Sequence, residues 1–105
     1  MKRVEYYRTE SGKEPCRDWL LGLDSKEERC IRAYVDRVAA GAGRKNIKPV
    51  GEGVFEIKID YGPGYRVYFG EVGKVLILLL VGGDKGTQFR DIRQAKEYWR
   101  NHGSK

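Results

Sequence analysis

The chain has 105 residues, with 21 Lys and Arg against 15 Asp and Glu, a formal net charge of +6, and 40% hydrophobic residues. That length suits one domain spanning residues 1–105, and its 7 Tyr, 2 Trp and 3 Phe argue against a disordered chain, which is poor in aromatics. The longest apolar run, Val75 to Val81, is far short of the ~20 residues of a membrane span, and no apolar stretch follows the basic start, so the expected location is the cytoplasm with no membrane contact.

Arg3 to Tyr7 reads RVEYY, a β-prone run with Val4 and Tyr6 on one face. Two helices are expected next. Cys16, Trp19, Leu20 and Leu23 form one helical stripe, with Ser11 and Glu14 spaced as a capping box and Pro15 in the first turn. Cys30, Ile31, Tyr34, Val35, Val38 and Ala39 form a second stripe, capped by Asp24 and stopped at Gly41. The short joint between the stripes predicts an antiparallel helical hairpin. Cys16 and Cys30 have neither disulfide density nor zinc spacing and are expected as buried thiols.

Residues 41–53 read as a flexible basic loop. The period then changes to two. Phe55, Ile57 and Ile59 share one face of a strand, and Tyr65, Val67 and Phe69 share one face of the next, with Gly62, Pro63 and Gly64 between them. Val75 to Val81 is apolar on both faces, as in a strand covered on both sides. A last helix from about Thr87 carries a stripe of Phe89, Ile92, Ala95 and Trp99, and His102 falls in a frayed tail. The predicted order is β-α-α-β-β-β-α. This is an α+β fold with two N-terminal helices packed on a small, mainly antiparallel sheet.

Parity fixes the hairpin faces. Directly opposed residues in an antiparallel pair share a face, so the two apolar sets meet only if opposed positions sum to an even number. A three-residue loop puts Tyr61 opposite Tyr65, Asp60 opposite Arg66 and Lys58 opposite Tyr68. Glu56, Lys58, Asp60, Arg66 and Tyr68 then share the non-core face, with Lys85, Arg90 and Arg93 following. Two cations aimed at one anion make a phosphate site, and an open tyrosine ring gives a base something to stack on. A solvated strand face with ion pairs such as Arg66–Asp60 has the same residue pattern. No Ser-His-Asp or Cys-His set, phosphate loop or metal-ligand spacing is present in the sequence.

The strand VFEIKID, the stretch YGPGYRVYF, and an apolar strand ending in GGDK before a basic helix ending EYW together resemble the RelE/ParE superfamily of toxins from type II toxin–antitoxin modules. The nearest subgroup is the addiction-module killer proteins, close to HigB-like toxins. The resemblance implies a ribosome-dependent mRNA endoribonuclease that inhibits translation without metal or cofactor. Attack by the ribose 2′-OH leaves a 2′,3′-cyclic phosphate. It also implies a cognate antitoxin of helix-turn-helix type, with DNA touched only through the antitoxin complex. By position it assigns Lys58, Arg66 and Lys85 to catalysis, and Tyr68, Arg90 and Arg93 fall to RNA binding. Lys58 is the candidate base, and Arg66 acts electrostatically. The tyrosine or histidine near the C-terminus of active members has no matching residue; Phe89 and Asp91 fall nearest and Tyr98 lies further along. Within the same superfamily, a ParE-like gyrase inhibitor and a non-catalytic partner-binding homologue are the other readings.

Overall fold

The computed structural model describes residues 1–103. The order is β1 (Arg3–Tyr6), α1 (Pro15–Leu21), α2 (Ser25–Ala39), β2 (Ile47–Gly51), β3 (Val54–Lys58), β4 (Arg66–Val72), β5 (Leu76–Gly83) and α3 (Gln88–Gly103). The five strands form one sheet in the order β1-β5-β4-β3-β2. All neighbours are antiparallel except β1 with β5, which run parallel.

The first helices form where the sequence places them. The Asp24 side chain accepts from the Glu27 amide at 2.9 Å, satisfying a donor that the helix itself leaves unpaired. The expected Ser11–Glu14 capping box does not form. Glu14 is the N-cap of α1 without a side-chain cap bond, and the Ser11 hydroxyl meets Thr9 Oγ1 at 3.0 Å. Cys16, Leu20, Ile31, Val35 and Val38 pack with Ile57, Ile59, Val67, Phe69, Ile77 and Leu79 in the larger core cluster. Cys16 is fully buried, and its thiol is pushed up to about 12 by desolvation. Cys30 is only half-buried.

Residues 47–51, expected within a loop, form β2, paired with β3 from Ile47↔Ile57 to Gly51↔Val54. The strand lies at the sheet edge, where Pro49 needs no ladder partner on its outer side. Its Lys, Pro and Gly hide the alternation that marks a strand. A 3-10 turn over Arg44–Asn46 leads into it.

The hairpin keeps the expected parity but not the expected pairs. Lys58 lies opposite Arg66 and Glu56 opposite Tyr68, a shift of two positions from the predicted register. The loop therefore spans residues 60–64, folded by bonds from the Tyr61 amide to the Ile59 carbonyl and from the Gly64 amide to the Tyr61 carbonyl. A shift of two preserves every face, so the apolar pattern alone could not detect it.

The largest departure is the second layer. α3 covers the face expected to be open. Val54, Tyr68, Leu78, Leu80 and Val81 pack there with Ile92, Ala95, Tyr98 and Trp99. An irregularity in the β4–β5 ladder, where Tyr68 pairs with Val81 but Phe69 with Leu79, lets Leu80 and Val81 both join this second cluster. Two glycines admit the tryptophans: a Cβ on Gly82 would run into the Trp19 ring, and one on Gly70 into Trp99. The stripe of α3 is also revised. Phe89 is 89% exposed, and buried Asp91 begins the inward face instead. His102 lies inside the helix and stacks on Trp99, with ring centroids 5.6 Å apart.

Candidate functional site

The site grows from the end of the β3–β4 hairpin. Lys58 ends β3 and Arg66 begins β4, directly opposed, so their side chains leave the same face at adjacent positions. Lys58 is exposed, whereas Arg66 is only 7% exposed. The Arg66 guanidinium is held from two sides. Nη1 donates to the Gly64 carbonyl at 2.7 Å, and Nε lies 3.3 Å from Glu56 Oε1. That second contact is an ion pair too poorly aligned for a hydrogen bond, and Nε is the one buried side-chain nitrogen or oxygen without a hydrogen-bond partner among the described residues. Gly64 takes φ 77°, which brings its carbonyl to the guanidinium and which a larger side chain would resist.

Glu56 anchors the site and is 3% exposed. Its Oε1 accepts from the Tyr68 hydroxyl at 3.2 Å and from Gln88 Nε2 at 3.0 Å. Its Oε2 meets Lys48 Nζ at 3.9 Å. Burying a carboxylate is costly unless cations and donors surround it, and this one has both. The expected Arg66–Asp60 pair is thus replaced by Arg66–Glu56. Asp60 instead accepts from Asn46 Nδ2 at 3.2 Å, and the same amide reaches the Lys58 carbonyl at 3.1 Å. Asn46 so ties the 3-10 turn to the end of β3.

These groups line a cleft of about 480 Å³, bounded by Lys45, Asn46, Ile47, Lys48, Glu56, Lys58, Asp60 and Arg66. Four cations face two carboxylates there, so the cleft is net positive. Lys45 and Lys48 are new members. They sit in the segment expected to be a loop, and only the pairing of β2 with β3 brings them to Lys58.

The other candidates distribute differently. Tyr68 has no exposed surface and cannot offer its ring to a base; burial, then the Glu56 carboxylate, raises its hydroxyl above the usual tyrosine range. Its part is to hold Glu56. Lys85 lies in a 3-10 turn over Lys85–Thr87 and lines a second depression with Gly86, Thr87, Gln88, Phe89, Arg90 and Arg93. Gln88 joins the two regions through Glu56. Asp91 is buried and accepts from Thr87 Oγ1 at 2.5 Å, so it closes the first turn of α3. Among the described residues, no three His, Cys, Asp or Glu side chains gather as a metal ion would need.

The functional residues missed in the sequence are Glu56 as anchor, Gln88, Lys45 and Lys48. The signal for Glu56 was a carboxylate two positions before Lys58 on the same strand face. Nothing local marked Gln88, because its role depends on where α3 lands.

The family model for Phage derived protein Gp49-like (DUF891) matches residues 18–99, a span that holds the whole Lys58–Arg66 hairpin. An uncharacterized protein of Haemophilus influenzae is 46% identical over 79 residues, covering 74% of this chain and 79% of its own length.

Proposed function

The chain belongs to the Gp49-like phage-derived protein family, which is associated with toxin–antitoxin modules, and from that premise we propose that it is the toxin of a type II module and cleaves mRNA on the ribosome in the manner of RelE- and HigB-like toxins. The observation that carries this reading is the cleft in which Arg66, buried and charge-balanced on one side only, faces the same space as Lys58, Lys45 and Lys48. A phosphodiester fits there by charge.

The proposed reaction draws on side chains of this protein, the RNA and solvent water. The ribose 2′-oxygen bonds to the adjacent phosphorus while the bond from phosphorus to the 5′-oxygen breaks. Lys58, in its uncharged amine form, takes the 2′-OH proton and becomes the ammonium, and the leaving 5′-oxygen gains a proton from water. The products are a 2′,3′-cyclic phosphate and a 5′-OH. Arg66 stays charged throughout and stabilises the charge that builds on the phosphate oxygens, a role often worth ~3 kcal/mol for one well-placed donor. Glu56 and Gly64 hold the guanidinium so that no reorientation is needed as the charge develops.

A toxin–antitoxin family implies an antitoxin partner. A helix-turn-helix protein encoded beside the toxin gene suits this role, with DNA met only through the complex. The test is to induce the protein in cells and map mRNA 5′ ends. Codon-phased new ends bearing 5′-OH groups support the reading. Intact mRNA with a DNA-damage response points to gyrase and contradicts it.

A further inference from the structure

Phe89 has no structural work to do. It is 89% exposed in the first turn of α3, where Asp91 and Ile92 take the inward positions. It lines two shallow depressions, of about 460 and 430 Å³. Lys85, Arg90 and Arg93 line the first, and Arg93, Lys96 and Arg100 line the second. Lys96 and Arg100 are engaged with Glu52, at 3.8 and 2.9 Å. Lys85 and Arg93 make no ion pair among the described residues.

We infer that Phe89 is a nucleobase-stacking platform for single-stranded RNA, with Lys85, Arg90 and Arg93 taking the flanking phosphates. Aromatic rings interleaved with cations bind single strands in this way, because every base has a face to stack and every phosphate a charge to meet. A protein partner fits the surface less well. The centre of a protein interface is apolar and poor in charge, whereas among the described residues Ile92 is the one other apolar side chain lining either depression. The patch also adjoins the cleft. Gln88 lines the Phe89 depression and donates to Glu56, which lines the cleft, so one hydrogen bond separates the two. In this inference a strand whose phosphate sits at Arg66 runs on along this link and lays one of its bases on Phe89. The ring takes over the stacking role that the sequence gave to Tyr68.

This inference rests on the ribonuclease reading and deepens it. The test compares binding of a uridine hexanucleotide, 2′-O-methylated to block cleavage, with a ribose-phosphate hexamer that carries no bases. The parent should bind the uridine oligomer about 10-fold or more tightly, as one aromatic stack requires. Phe89→Ala should bind both oligomers alike, at the level of the parent with the base-free one, and Phe89→Trp should restore the difference. Arg93→Ala should weaken both oligomers together and lower the salt slope by about one. Phe89 is exposed, so none of its variants should change the melting temperature appreciably. Equal preference for bases in parent and Phe89→Ala overturns the platform while leaving the ribonuclease reading standing. No binding of either oligomer by the parent also overturns the platform, and the ribonuclease reading then stands or falls on the mRNA 5′ ends.

Discussion

Lys58 and Arg66 stand opposite each other but differ in what their removal does. Lys58 is exposed and its side chain makes no ion pair among the described residues, so Lys58→Ala should change unfolding free energy by less than ~0.5 kcal/mol. Arg66 is buried against Glu56, and Arg66→Ala leaves that carboxylate without its nearest cation. Breaking a buried pair by removing one partner costs ~3–5 kcal/mol. Urea titration should therefore separate the two variants clearly, and equal midpoints would mean that Glu56 is better solvated than its burial indicates. Lys58→Arg isolates the proton transfer. It keeps the charge but cannot serve as a base near neutral pH. Cleavage should collapse in Lys58→Arg while RNA affinity persists, and substantial retained cleavage would make Lys58 purely electrostatic. At this scale the sequence identified the pair of cations and their shared face, since both follow from period-two alternation. It did not reveal the burial of Arg66, nor the Glu56 anchor, which draws on Gln88 of α3, more than thirty residues further along the chain.

Among the elements, the sheet is pinned by close approaches that side chains would block. A Cβ on Gly70 would overlap the six-membered ring of Trp99, and Gly70 is buried in β4. Gly70→Ala should therefore cost ~1–3 kcal/mol, as overpacking does, by pushing α3 off the sheet. Gly22→Ala is the matched control. Its nearest neighbour to a new Cβ is the Trp19 carbonyl oxygen at 3.5 Å, and its backbone is in the right-handed region. A melting temperature that falls for Gly70→Ala but holds for Gly22→Ala is the expected result; no fall for Gly70→Ala would show that Trp99 can leave its seat freely. The two N-terminal helices were legible from their stripes and the Asp24 cap. The edge strand β2 was not, since Pro49 and the flanking glycines and lysines read as turn chemistry. The hairpin register was half legible: parity follows from the apolar residues, but loop length is set by the backbone bonds from Tyr61 to Ile59 and from Gly64 to Tyr61, and by Asn46.

Across the whole molecule, the sheet is buried on both faces, and ionisable groups are built into each side. Tyr65 donates its hydroxyl to Glu27, which with burial pushes it up to about 12, and burial pushes Cys16 to the same region. In the unfolded chain these groups lose their protons near 10.0 and 9.0. Their folded values are raised, so their contribution to stability is intact below pH 9 and is lost as pH climbs toward 12. Tyr68 and Tyr98 are shifted in the same direction. Urea unfolding at pH 8 and pH 11 should show the parent losing stability, and Tyr65→Phe losing less over the same interval; parallel losses would remove Tyr65 from the account. The two-sided burial was present in the sequence as the apolar run Val75 to Val81, which needs a cover on both faces. The helix that supplies the second cover was also visible, but its stripe read through Phe89 rather than Asp91, which hid where it docks.

The cleft at the end of the β3–β4 hairpin is the centre of the functional reading, and Lys58 is the residue that tests it without disturbing the fold. The decisive measurement is the single-turnover rate of mRNA cleavage on programmed ribosomes, for the parent and for Lys58→Ala at matched melting temperature. Cleavage by the parent to 2′,3′-cyclic phosphate ends, with a fall of ~100-fold or more in Lys58→Ala, is the expected result. No cleavage by the parent, or equal rates in both proteins, would contradict it.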